Sequence, residues 1–135
     1  MHFTYLAAAM GALFLAVVLG LWLSSLYLVH EQPPKGMVVG LIHGTVGAVT
    51  VALVFLALRG PGTNPGPHFG HPAGNFGWTA FVTLVIALLG GLTILATRLI
   101  RKSISPVLIG LHATLGIAGA VILCAYWITP SSYGR

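Results

Sequence analysis

Acid is nearly absent from this chain. Glu31 is the single carboxylate side chain in 135 residues, and charged residues make up 5% of the whole, against about 25% in an ordinary soluble domain. One carboxylate cannot supply a paired acid and base. It also falls in a link rather than in an apolar run, which argues against a four-span proton-coupled exporter with a buried acid. Cysteine is as scarce. Cys124 alone excludes an internal disulfide and a cysteine zinc site, and no Cys-x-x-Cys-His stretch exists for covalent haem attachment. Lying in an apolar run, Cys124 is expected as a buried, inert thiol. The six basic residues sit near the ends of apolar runs and form no patch, which excludes a nucleic-acid interface.

What the chain has is hydrocarbon: 57% of residues are hydrophobic and the mean hydropathy is +0.99. Four runs, about 4–29, 37–58, 77–99 and 105–128, reach the roughly 20 apolar residues that cross a bilayer. The first has no basic flank and exceeds the apolar core of a signal peptide, so a retained span is expected. Short links (30–36 and about 101–105) join the first pair and the last pair, and short links make antiparallel neighbours. The fold expected is therefore all-α, an integral membrane up-down-up-down four-helix bundle forming one domain over 1–135. Lys35, Arg98, Arg101 and Lys102 mark the side of the short links, against Arg59 and Arg135 opposite. The positive-inside rule then puts the short links in the cytoplasm, with both termini and the Gly/Pro-rich loop 59–75 on the outer side. A bacterial or archaeal plasma membrane is the expected location.

The halves repeat. LIHGTVG at 41–47 returns as GLHATLG at 110–116, so His43 and His112 lie 69 residues apart, each with Thr at +2 and Gly at +4. Gly20 and the Gly90–Gly91 pair precede the two histidines at nearly equal distances. A tandem duplication of a two-helix unit, over about 1–58 and 76–128, accounts for this. An ionisable group inside a span is a functional candidate. At 1.5 Å per residue, both histidines lie roughly 10 Å inside the cytoplasmic end, and two facing imidazoles at one depth suit the two axial positions of a haem iron. Gly40 and Gly47 share the face of His43, and Gly116 that of His112. These glycines, with Gly20 and Gly90, leave room for a flat macrocycle. Arg98 lies where a propionate would emerge, although it also serves as a positive-inside charge.

In this topology, with a histidine on the second and fourth helices and glycine around each, the chain resembles the four-helix haem-binding core of membrane b-type cytochromes. The resemblance covers nearly the whole chain and rests on arrangement, not on a residue-level signature. It implies one non-covalent haem b ligated by His43 and His112. Larger members carry two histidines per ligand helix and two haems, so a complete transmembrane relay is not implied. The expected role is an electron-carrying subunit and membrane anchor of a larger respiratory or quinone-linked oxidoreductase, with other subunits, the lipid bilayer and a quinone as partners. No nucleophile–base constellation points to a stand-alone enzyme. The competing readings are a cofactor-free subunit that packs against a larger complex, its histidines bonding neighbouring helices, and a small transporter. His30, beside Glu31, suits a quinol pocket or a propionate. His68 and His71 suit a loop metal or a second cofactor, but two histidines alone are too few ligands. Thr45 and Thr114 point away from the histidine face and are expected to bond their own helices.

Overall fold

In the computed structural model the described residues are 2–29, 36–59, 72–101 and 105–128. They form four helices: α1 (His2–Val29), α2 (Gly36–Arg59), α3 (Pro72–Arg101) and α4 (Pro106–Ile128). Each contains a stretch of 23 to 25 residues long and apolar enough to cross a membrane, which makes this an integral membrane protein. The chain is apolar on all sides of each helix, as spans surrounded by lipid are. Leu, Val, Ile and Phe side chains accordingly cover the outside of the bundle.

The helix ends follow local chemistry. α4 starts as Ser-Pro: the Ser105 carbonyl accepts the Ile109 N–H at 3.2 Å, and Pro106 occupies the first helical position, where its missing N–H costs nothing. α3 begins at Pro72, five residues before the expected start at 77, so residues 72–75 belong to the helix and not to the loop. The same rule explains it, because proline is a good first residue and Ala-Gly-Asn behind it does not stop the helix. Apolarity alone missed this polar first turn.

α1 packs chiefly on α2 and α3 on α4; α2 meets α3 more lightly, and α1 meets α4 least. Two layers organise the interior. In the first, each helix contributes one fully buried residue: Ala9, Val54, Ala80 and Leu123. Leu13, Leu58 and Leu84 pack around them. Glycine makes this layer tight. A β-carbon on Gly119 would fall 2.7 Å from Leu84 Cδ2, and one on Gly77 would meet Leu58 and the Tyr126 ring. Thr50, also buried, turns its hydroxyl back to the Val46 carbonyl at 2.9 Å, so that hydroxyl is not left bare. The second layer holds Gly20, His43, Gly91 and His112. On every helix it lies eleven positions, about 16 Å of axis, from the first-layer residue of the same helix.

Cys124 is exposed on the surface of α4, which corrects the expectation of a buried thiol. It follows Leu123, which takes the interior position, and adjacent residues on a helix point about 100° apart. Trp22 is likewise half exposed, at 51%, on the outer surface.

Overpacking a tight glycine contact typically costs about 1–3 kcal/mol. Gly119→Leu is therefore expected to lower the unfolding free energy by that order in a detergent denaturation titration. Gly110→Leu, whose added β-carbon meets nothing within 4 Å, should leave it nearly unchanged. Equal effects would contradict the first-layer packing.

Candidate haem-ligand site

The two histidines come from α2 and α4, which share no backbone contact, yet their rings meet across the middle of the bundle. The ring centroids are 5.8 Å apart and the planes perpendicular. Each ring is held from behind by the helix its own helix packs on. His43 Nδ1 lies 2.9 Å from the carbonyl oxygen of Ala16 on α1, and His112 Nδ1 lies 2.8 Å from that of Ala87 on α3. A carbonyl oxygen can only accept, so both Nδ1 atoms carry the proton and donate it. The unprotonated Nε2 of each ring then keeps its lone pair. Neither Nε2 has a hydrogen-bond partner among the described residues.

Helix backbones must come close for this. One turn beyond each acceptor carbonyl stands a glycine, Gly20 after Ala16 and Gly91 after Ala87. A β-carbon at either would sit 3.0 Å from the Cε1 of its histidine, tight enough that the ring would have to give way slightly. The sequence reading gave Gly20 and Gly90 the task of admitting a macrocycle edge. In the structure Gly20 and Gly91 admit the imidazoles, and Gly90 sits beside the root of His112, where an added β-carbon would lie 3.7 Å from the histidine Cβ. Ala16 and Ala87 were missed as partners. The signal was available, because an acceptor one turn before each matched glycine is where a ring seated on that glycine reaches.

Both rings line a cavity of about 220 Å³ bordered by all four helices. Gly40, Gly47 and Gly116 line it as expected. A β-carbon on Gly40 or Gly47 would lie 3.8 Å from Leu23 or Leu88, while one on Gly116 would meet nothing within 4 Å. At one end Arg98 lines the cavity with its guanidinium 5.2 Å over the Tyr27 ring. Tyr27 and Arg98 each lie seven positions beyond the glycine on their helix that seats a histidine, so the pair spans the cavity end about 10 Å below the imidazoles. Thr45 donates to the Leu41 carbonyl at 2.9 Å, in line with its expected role. The side chains of His30, Glu31, Lys35, His68, His71 and Lys102, with the readings placed on them, lie outside the described residues.

The donor chemistry fits a metal held by two imidazoles. Metal-ligating histidines donate the other ring N–H to a carbonyl or carboxylate, which fixes the tautomer and makes the ligand more basic. Imidazole–metal bonds of about 2 Å on opposite sides of one ion put ring centroids about 6 Å apart, close to the 5.8 Å here. No cluster of three or more metal-ligating side chains exists among the described residues, so a bare ion would lack its usual ligands. A macrocyclic chelate of the metal would supply the rest. It needs more room than 220 Å³, since small-molecule pockets run about 300–1,000 Å³, so the helices must part to seat it. The chain matches no family model, no curated protein and no solved structure, which leaves the site to be read on its own chemistry.

In the ligand-free protein, ¹⁵N spectra of labelled histidine are expected to show His43 and His112 as the Nδ1–H tautomer. Gly20→Ala should blur that signature for His43 and spare His112. An Nε2–H tautomer in the parent protein would contradict the assignment.

Proposed function

We propose that this protein is a membrane b-type cytochrome subunit in which His43 and His112 hold one non-covalent haem b, and that it carries electrons as the membrane anchor of a larger quinone-linked oxidoreductase. The observation that carries the proposal is the orientation of the two rings. Both Nδ1–H groups are spent on backbone carbonyls, and both imidazoles line one cavity together with several glycines. When bound, haem iron cycles between its ferrous and ferric states and so passes single electrons. The residues do the rest. His43 and His112 would both ligate the iron, which would favour electron transfer over oxygen chemistry. The glycines and leucines keep water out, and Arg98 offers a cation to a propionate.

The bundle is read as up-down-up-down and duplicated. Contacts that run oppositely along neighbouring helices support the first point: Leu23 with Gly40 and Gly20 with His43, then Leu58 with Gly77 and Leu88 with Gly47. Equal offsets support the second. Ala9, Ala16, Gly20 and Tyr27 each have a counterpart 71 positions on (Ala80, Ala87, Gly91, Arg98), and Val54 and His43 have theirs 69 on. Charge bias places the short links, and with them the Arg98 end, on the cytoplasmic side.

A second reading has specific support from the same bonds. Histidines that donate to a neighbouring helix also act as staples, and a cofactor-free packing subunit would need nothing more.

The two readings part in a dithionite-reduced minus oxidised spectrum of the purified protein. A sharp alpha band and Soret shift at one haem per chain are expected, lost in His43→Ala and in His112→Ala. A colourless protein that accepts no added haem would favour the staple reading, and haem retained in both variants would overturn the ligand assignment.

A further inference from the structure

Four walls close the cavity unequally. Its outer end is plugged by the fully buried layer of Ala9, Val54, Ala80 and Leu123. Its other end is spanned by Arg98 stacked on Tyr27. The α1/α2 and α3/α4 pairs pack closely, and each is pinned by a histidine-to-carbonyl bond. That leaves the two seams between the pairs, α2/α3 and α1/α4.

The seams are built from matching positions and differ by one methylene. Leu88 follows Ala87, whose carbonyl accepts from His112, and its Cδ1 lies 3.8 Å from the β-position of Gly47, closing the α2/α3 seam at the level of the rings. The matching residue after Ala16 is Val17, and the match of Gly47, four positions after its histidine, is Gly116. Valine stops short: nothing lies within 4 Å of the Gly116 β-position. Val17 and Gly116 both line the cavity, as do Leu21 and Ile117, and these last two are 61% and 53% exposed on the outside of the bundle. Leu21 and Ile117 therefore touch both the cavity and the surroundings, as Leu92 of α3 and Met37 of α2 also do, and they flank the seam with the lightest helix contact.

We propose that the α1/α4 seam is a lateral portal through which a flat, lipid-dissolved macrocycle reaches the imidazoles from the bilayer. The chemistry of the seam selects that class of ligand. Valine, leucine, isoleucine and glycine offer no hydrogen bond to a polar solute, and they border lipid instead of water. Parting α1 from α4 breaks the fewest contacts and leaves both histidine-to-carbonyl bonds intact, since each lies within a helix pair. The proposal rests on the haem reading for the identity of the ligand.

The test is the rate of hemin uptake by haem-free protein in lipid nanodiscs, followed at the Soret band. Val17→Leu supplies the missing methylene and Gly116→Leu fills the seam from the other side. Each is expected to slow uptake by about tenfold or more, the factor given by roughly 1.4 kcal/mol of added barrier. Gly110→Leu, on the same helix but away from the cavity, should load at the parent rate and controls for folding. Tyr27→Ala, which unstacks Arg98 and opens the end, should not raise the rate. Parent-like uptake in both filled variants, or a faster rate in Tyr27→Ala alone, overturns the portal while leaving the haem reading in place. No Soret band in the parent protein overturns both.

Discussion

The structure depends on two hydrogen bonds from imidazole Nδ1–H to helix backbone carbonyls, each crossing from one helix to its neighbour. Inside a bilayer no water is at hand to satisfy a polar ring, so a histidine at this depth must find its partner in the protein. Such a carbonyl already accepts an intrahelical bond and has a second lone pair free. Reaching it requires the ring to lie almost on the neighbouring backbone, and only a glycine one turn away permits that. Ala16 with Gly20, and Ala87 with Gly91, meet this requirement in the same way. The glycine content of the spans thus has a local reason at these two positions, and the helix pairing follows from it.

Satisfying Nδ1 has a chemical consequence on the other side of the ring. It fixes the tautomer and leaves Nε2 as a free acceptor inside hydrocarbon, a costly arrangement unless something completes it. Two such acceptors, brought within 5.8 Å between centroids from diagonal helices, invite an acceptor of electron pairs between them. This is why the pair reads more readily as ligands than as staples. A staple needs only the Nδ1 bond and gains nothing from bringing the two rings together. The division of the bundle into a tight layer and an open one adds to this. Packing at Ala9, Val54, Ala80 and Leu123 holds the helices in register, so the ligand layer can stay loosely filled without the bundle losing its geometry.

Much of this was legible in the sequence. Four runs of apolar residues gave four helices to within two residues, except at Pro72, where a polar first turn hid the start. The repeated His-x-Thr-x-Gly stretches marked the two helices whose histidines meet, because a polar residue in hydrocarbon stands out against its surroundings. Gly40, Gly47, Gly116 and Arg98 do line the cavity. What stayed hidden was rotation. The sequence could not tell whether Gly90 or Gly91 faces its histidine, since adjacent residues differ by about 100° around the helix and only packing chooses between them. The same uncertainty put Cys124 inside when Leu123 holds that place. The backbone acceptors carry no side-chain signature, and the single methylene between Val17 and Leu88 becomes meaningful only when the two seams are seen side by side.

The central claim is that His43 and His112 together occupy both axial positions of one iron. Electron paramagnetic resonance of the frozen, oxidised, haem-loaded protein tests it most directly, because axial ligation sets the spin state. Two imidazoles with perpendicular planes predict a low-spin ferric signal of strong axial anisotropy, converting to high spin in either histidine-to-alanine variant that still retains haem. A high-spin signal in the parent protein, or a low-spin signal unaltered by both substitutions, would contradict the account.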